Sequence, residues 1–593
     1  MSDNTVGSMG TTITDGNKTL INTKSMGMDI GAIVKDQIKV KEMPLETKKD
    51  AIEQQTKVIA AFSEMESKVV AIKTAAAKLS NLSAISGSTS AFGQKRAMAT
   101  ATTTGTLAGN IVGFTVTDNT PNQNFSLSVQ NIATADTLAA SSASATTLDS
   151  ALNQSGTFAL ASLDNSAQTI TITADMTLVD IKNAINSASS LSKIRASIIP
   201  AGSNDFRLNI SHTETGKQIF LNDPDSILSN LNLSESGATD QSLSACVIFN
   251  GIQTYHSKNM ITNLVEGVTI EPLSASAGNV INVKIEPDLN QTKKDIAGFV
   301  NAYNDFVDFF DQQHVRDEDD NNQYAKDSYL ARNSFFDLLN TSISSAMSGS
   351  SLGVPNGELR VLADIGITFD ADSLGDAIKN GQSITNKLKI DDNILDSKLL
   401  NSIDQVRKLF AFEAVTSNAQ FIVSGHPQNI SKDIAGTPFT VTISNDSGIY
   451  TATFTSGTTT LTGTVEDVDG NLRIVAPDEG IFQGIKMAYL GSQIGDGSSA
   501  TTTVTLIQGI GDKLNNYLET LLLPNGSLDL EKEQLKGEST LLKDELLRLT
   551  DRFNREKEFI IAKFAKLQEV LRQLEFLKEN LTGYMGALAS KSR

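Results

Sequence analysis

The sequence predicts an α+β chain in which terminal coiled-coil helices and a helical leg domain carry inserted β-rich head domains. Three observations predict it. Apolar residues at heptad spacing mark both ends of the chain. Between the ends lie two Ser/Thr/Asn/Gly-rich stretches whose short runs alternate polar and apolar with period two. Helical periodicity returns between those stretches, over 291–412. A length of 593 residues allows about four domains.

Residues 1–25 are polar and are expected to form a flexible tail. Over 26–85 the pattern is helical. Ile30, Ile33, Val34 and Ile38 share one face of a first short helix. Pro44 is expected to interrupt it, because the residue before a proline disfavours the α conformation. A second helix follows, with Ile52, Ile59, Phe62, Met65, Val69, Ile72, Ala76 and Leu79 as its apolar positions. From Met65 onward the steps of four and three are those of a coiled-coil seam.

Residues 86–290 read as β-rich heads. NFSLSV (124–129), QTITIT (168–173), FRLNI (206–210) and VINVKI (280–285) alternate as strands with one buried face. TLVDIKNAINSA (177–188) breaks the pattern as a short amphipathic helix that Thr177 caps. The helical leg, 291–412, has three amphipathic stretches, at 294–313, 329–347 and 393–410. Residues 413–508 return to strands at 437–444, 450–455, 459–465, 471–476 and 501–507, with a turn expected at Asp469-Gly470. Over 509–593 a shorter helix (510–523) precedes the longest periodic run. That run is Leu535, Leu542, Leu546, Leu549, Phe553, Ile560, Phe564, Leu567, Leu571, Leu574 and Leu581. Seams of this kind do not bury themselves alone, so the two ends are expected to pair with each other or with other copies.

The chemistry-bearing patterns are weak. The chain has 49 Lys+Arg against 68 Asp+Glu, a net charge of −19, which disfavours binding to the phosphates of nucleic acid. No apolar run is long enough to span a membrane, so no membrane insertion is expected. The start of the chain has no basic cluster followed by an apolar segment, so a cleaved signal peptide is not expected. Gly349-Ser350-Ser351-Leu352-Gly353 has the nucleophile-elbow spacing but follows a helix, and is read as a flexible linker. Gly495-Asp496-Gly497 precedes a strand rather than a helix, and is read as a turn. The acidic run 317–321 lacks the Gly and Glu that a calcium loop needs at its sixth and twelfth positions. The four His, at 212, 256, 314 and 426, are scattered. Cys246 sits in an apolar run as a buried small hydrophobe. No catalytic site, metal or cofactor is expected.

Several stretches, in order along the chain, carry a resemblance. GMDIGAIVKDQIKVKEMPLETKKDAIE (27–53) closely resembles the N-terminal signature of the flagellar hook-associated protein 2 family. RASIIPAGSNDFRLNISHTETG (195–216) and FNGIQTYHSKNMITNLVEGVTIEPLSAS (249–276) resemble its β-domain segments. The second does so through Gly251, Asn259, Ile261, Val265, Gly267, Val268 and Thr269. FVNAYNDFV (299–307), LADIGITF (362–369) and GIGDKLNNYLETLLLPNGSLD (509–529) are similar to its leg and C-terminal entry. The strand-rich 413–508 is an elaboration on this pattern.

The resemblance implies a structural assembly protein, not an enzyme. It would cap the distal end of the bacterial flagellar filament, outside the cell, after export unfolded through the flagellar type III channel. It implies a ring-shaped homo-oligomer, a pentamer. The other implied partners are flagellin, the hook–filament junction proteins and an export chaperone. Fourteen positions are expected to carry oligomer or flagellin contacts: Ile30, Ile33, Val34, Ile38, Ile52, Ile59, Phe62, Val69, Ile72, Ile560, Phe564, Leu567, Leu571 and Leu574. For Ile30, Ile33, Val34 and Ile38, read as a helix that docks on the filament or hook junction, the alternative is local packing; for the other ten it is an intrachain coiled coil, and the sequence leaves both open. For the whole chain the alternatives are another axial component of the flagellum or a secreted β-domain adhesin.

Overall fold

The computed structural model describes residues 12–15, 18–21, 24–25, 28–80, 90–317, 319–320, 322–370, 386–468 and 471–591. The chain divides into two compact units. One comprises Met1–Ser80, Ile296–Lys398 and Asp404–Arg593; the other comprises Asn81–Asp295 with Leu399–Ile403. The fold is α+β, with long terminal helices packed together and several β-sheets.

Two findings bear on the reading of the N-terminus, and the second corrects it. Within and just after the polar tail, Thr12–Asp15 pairs antiparallel with Lys18–Ile21, and Lys24–Ser25 with Met28–Asp29. The alternating Thr12-Ile13-Thr14 and Thr19-Leu20-Ile21 supply the β-branched and apolar residues that favour strands. Second, α1 (Ile30–Ser80) runs unbroken through Pro44. Proline removes one backbone donor and crowds the preceding turn. Contacts on either side hold the helix. Leu45 is buried, and Lys41 and Lys48 make ion pairs with Glu556 and Glu545 at 2.9 and 2.6 Å.

The second unit holds two cores, one nested in the other. The outer core lies between a five-stranded and a three-stranded antiparallel sheet. The strands are β1 (Lys95–Ala101), β2 (Val112–Val116), β3 (Gln123–Asn131), and, after the nested core, Ala245–Phe249, Ile252–His256, Ile261–Val265, Val268–Pro272 and Ile281–Pro287. Phe125, Leu127, Val129, Ile281, Val283 and Ile285 face inward in the period-two register that the sequence predicts, and Val247 joins them. The Phe249–Ile252 hairpin closes through Asn250 (φ 47°) and Gly251 (φ 83°), both in the left-handed region such a two-residue turn demands. The side chain of Asn259 mimics a strand partner, accepting from Ala133 N (2.7 Å) and donating to Ala133 O (2.8 Å).

The nested core fills residues 137–233. Helix α2 (Leu178–Ser187) packs Leu178, Ile181 and Ile185 against Phe158, Leu160, Leu208 and Ile210. Thr177 and Asp180 cap its start reciprocally, as the sequence predicts for Thr177.

In the first unit, the helices are α3 (Leu289–Gln313, in this unit from Ile296), α4 (Ser334–Ser348) and α5 (Asp392–Phe410, divided between the units). Asn333 caps α4 through Phe336 N, so the helix starts later than its apolar pattern does. Between α5 and the C-terminal helices, eight strands form one antiparallel sheet. In spatial order they are Phe412–Thr416, Ser499–Gln508, Phe439–Asp446, Ile449–Ser456, Thr459–Val468, Asn471–Val475, Lys486–Tyr489 and Phe421–Gly425. The first and last are consecutive in sequence and joined by one turn, where Thr416 Oγ1 donates to Phe421 O (3.0 Å). The sheet thus wraps one core that includes Phe421, Phe439, Phe454, Phe482 and Met487. The expected Asp469-Gly470 turn lies outside the described residues. The chain ends in α6 (Ile510–Leu522) and α7 (Ser527–Lys591).

The Gly349–Gly353 loop is a strap rather than a flexible linker. Leu352 exchanges both backbone hydrogen bonds with Gln508 (2.8 and 3.0 Å), and Ser351 is fully buried. Gly353 has φ +81°, and a Cβ there would meet Gly436 N at 2.5 Å and Leu506 O at 2.6 Å. The spacing that mimics a nucleophile elbow is here a packing requirement.

Candidate functional site: the paired terminal helices

The candidate site is the seam between α1 and the two C-terminal helices. The helices α1 and α7 run antiparallel. Lys41–Glu556, Lys48–Glu545 and Glu66–Lys532 are successive ion pairs along them, and Gln55 Nε2 donates to Leu535 O (3.1 Å) and Glu538 Oε2 (3.2 Å). Lys48 and Lys41 hold the Glu545 and Glu556 carboxyls below their ordinary range, first by hydrogen bonding.

Burial along α1 falls into two zones. Phe62, Met65, Val69, Ile72, Ala76 and Leu79 are all fully buried. That end also packs against α6, and Phe62 meets the Phe335 ring of α4 at 6.0 Å between centroids. Toward the N-terminus Ile52 and Ile59 are only half-buried. Near the far end a small cluster closes the seam: Val34, Ile561 and Leu571, with Ile38, Ile560 and Phe564 packed on it.

The predicted positions therefore separate. Phe62, Val69 and Ile72 lie in the deep zone. Val34, Ile38, Ile560, Phe564 and Leu571 come together in the distal cluster. Ile33, Leu567 and Leu574 stay exposed, at 41, 44 and 46%. Ile30 opens α1, but its side chain lies outside the described residues. Sequence reasoning missed Ile561, which is more deeply buried than Ile560. The Ile-Ile doublet was the available signal, since a strict heptad admits only one of the two.

Beyond the distal cluster α7 runs on past the start of α1. There Phe576, Leu577, Leu581, Tyr584 and Met585 are 59–76% exposed. Leu577, Leu581, Tyr584 and Met585 recur at i, i+4, i+7 and i+8, so they share one face of the helix and leave a continuous apolar stripe exposed.

Among the described residues no His, Cys, Asp or Glu group could hold a metal ion, and no helix is long and apolar enough to cross a membrane. Comparison with known proteins gives the kinship. Residues 243–575 match the family model described as flagellar hook-associated protein 2 C-terminus, and residues 26–136 match the model for its N-terminus. The chain belongs to the flagellar hook-associated protein 2 family. That family is structural and non-enzymatic.

A curated relative, the B-type flagellar hook-associated protein 2 of Pseudomonas aeruginosa, is 25% identical over 280 residues. The match covers 43% of this chain and 55% of the relative, so the chain spans about half the length of the relative it matches. The crystal structure of the flagellar cap protein FliD D1-D2-D3 domains from Escherichia coli is 22% identical, with a TM-score of 0.41 over 59% of this chain and 89% of that one. The crystal structure of FliD (HAP2) from Pseudomonas aeruginosa PAO1 is 23% identical, with a TM-score of 0.28 over 35% of this chain and 98% of that one.

Proposed function

We propose that this member of the hook-associated protein 2 family caps the distal end of a bacterial flagellar filament. It holds exported flagellin at the tip, promotes its folding and insertion, and prevents its loss to the medium. The observation that carries the reading is the C-terminal overhang of α7. A single copy buries the seam as far as Val34 and Leu571 and leaves Leu574, Phe576, Leu577, Leu581, Tyr584 and Met585 exposed. Full burial of an exposed Leu, Phe or Met side chain is worth roughly 1.5–3 kcal/mol, and these side chains, 46–76% exposed, would gain the corresponding fraction of it, which favours association.

The division of labour follows the chain. Residues 26–85 and 509–593 form the stalk, 86–290 the heads, 291–412 the leg and 413–508 a further head. The working form is a ring of copies, five in number, that contacts flagellin and the junction proteins. It acts outside the cell, after export with the help of a chaperone.

The test removes residues 566–593 in a flagellated host that lacks its own copy of the protein. Loss of filaments, with flagellin recovered from the medium, is expected. Filaments of normal length would overturn the reading. Electron microscopy of the purified full chain reads the ring and its subunit number directly.

A further inference from the structure

At the junction between the eight-stranded insertion and α6, the structure buries a polar node that the cap reading does not use. Asp512, in the first turn of α6, is fully buried. Its Oδ2 accepts from Gln508 Nε2 (2.8 Å) and Asn516 Nδ2 (3.1 Å). Its Oδ1 accepts no hydrogen bond and instead faces His426 Nε2 at 3.5 Å. His426 belongs to the loop after Phe421–Gly425. Its side chain is 5% exposed, its ring stacks on Phe412 with centroids 3.7 Å apart, and its Nδ1 lies 3.0 Å from Pro427 O. Gln508 extends the node into the same loop, accepting from Ile430 N (3.0 Å) and donating to Gln428 O (2.8 Å).

Both ring nitrogens of His426 thus face oxygen acceptors. A neutral imidazole carries one N–H and satisfies one of them; the imidazolium carries two and satisfies both. The imidazolium also sets a second positive charge, beside that of Lys513, against the buried Asp512 carboxylate.

We propose that His426 and Asp512 form a pH-dependent latch that fastens loop 426–430 of the insertion to α6, closed while His426 carries its second proton and slackened at alkaline pH.

Burial on its own pushes His426 down, but the hydrogen bond and charge of Asp512 and the Pro427 carbonyl outweigh it. The imidazole stands above its ordinary value. The other charged groups of the elements packed here are Glu413, Lys432 and Lys513, the last of which also feels the Asp512 charge. Glu413 pairs with Arg407 (3.2 Å), Lys513 Nζ donates to Ser350 O (2.6 Å), and Lys432 acts on Lys513. A group whose proton is held more tightly when folded stabilises fully below its unfolded value. That contribution is lost as pH rises through the folded value. The latch therefore opens on the alkaline side.

The test uses the full chain. NMR of ¹³C-labelled histidine follows the four rings, with His426 assigned by its disappearance in His426→Gln. Hydrogen exchange of segment 426–437, corrected for intrinsic rate, is compared at pH 6.5 and 8.5. His426 is expected to titrate above the ordinary value of about 6.5. Protection of the segment is expected to fall severalfold across that range, because the closed latch binds the proton more tightly than the open one. Asp512→Asn, which keeps the shape and removes the charge, should bring the ring to or below its ordinary value and flatten the pH dependence. Should His426→Gln fail to fold, the wild-type and Asp512→Asn pair decides. A ring that titrates at or below the ordinary value in the wild type, protection unchanged by pH, or the same dependence retained in Asp512→Asn would overturn the latch. The readout does not involve filament growth, so the cap reading stands or falls separately.

Discussion

Lys41 Nζ and Glu556 Oε2 meet at 2.9 Å, joining the first long helix to the last at a point three residues before Pro44. With Lys48–Glu545 on the other side (2.6 Å), this pair brackets the one proline inside α1. Both pairs are partly solvent-exposed, and such pairs contribute little to stability one by one. Their weight is geometric. They fix the antiparallel register in which Leu45 is covered and the helix continues.

Replacing Pro44 with alanine tests this. If α7 holds a helix that the proline opposes, Pro44→Ala restores a backbone donor and removes the clash. It should stabilise the pairing by up to about 3 kcal/mol. Hydrogen exchange over 31–50 should slow in the full chain. Faster exchange there would show that Pro44 serves a break rather than being carried by the helix.

The buried seam and the overhang beyond it predict opposite responses to truncation. Phe62→Ala empties a fully buried position and should cost about 3–5 kcal/mol of folding stability. Leu574→Ala and Leu581→Ala remove side chains that are 46 and 67% exposed, and should leave the melting temperature of a single copy nearly unchanged. If the overhang is an assembly surface, the latter pair should instead reduce ring formation, measured by light scattering at increasing concentration. A double variant that lowers monomer stability as much as Phe62→Ala would place the overhang in the folded core.

Much of this architecture was legible because its signals are periodic. The Met65–Leu79 seam, the alternating strands at 124–129 and 206–210, and the Thr177-capped helix each rest on local spacing that tertiary packing reinforces. What failed depended on distant partners. Pro44 reads as a break until Glu545 and Glu556 are placed beside it. Gly349–Gly353 reads as a linker until Leu352 is seen paired with Gln508. Ile561 and the His426–Asp512 node depend on which face meets which, and spacing along one segment does not encode that. Strands Phe412–Thr416, Phe421–Gly425 and Lys486–Tyr489 are short, and each has a partner distant in sequence, the weakest case for a local pattern.

The strap predicts a sharp steric response at Gly353. Its positive φ and the backbone atoms of Gly436 and Leu506, 2.5–2.6 Å from any added Cβ, leave nothing flexible to yield. Gly353→Ala should destabilise the insertion by about 1–3 kcal/mol, read by chemical denaturation. Ser351→Ala, which removes only a 3.3 Å hydrogen bond to Arg360 O, should have a smaller effect. The reverse order would mean that the loop is held by its serine and not by close backbone approach.

Asp311, on α3, gives a pH signature of the opposite sign to a salt-bridged carboxylate. Burial, and then the neighbouring Asp308 charge, raise it to about 6 against the weaker pull of Lys387 and His314, and its Oδ2 is buried with no hydrogen-bond partner. The folded chain therefore binds a proton that the unfolded chain has released between the ordinary value, 3.8, and about 6. Stability is greatest below that window and falls as pH rises through it. Asp311→Asn, which cannot ionise, should remove this slope and stabilise the chain at pH 7.5 by roughly 1–2 kcal/mol, after allowing for a side chain that solvent partly screens. At pH 3.5 the gain should vanish. Melting temperatures of wild type and variant across pH 3.5–8 measure the difference. A gain that persisted unchanged at the acid end would show that the substitution acts through packing, not through the proton.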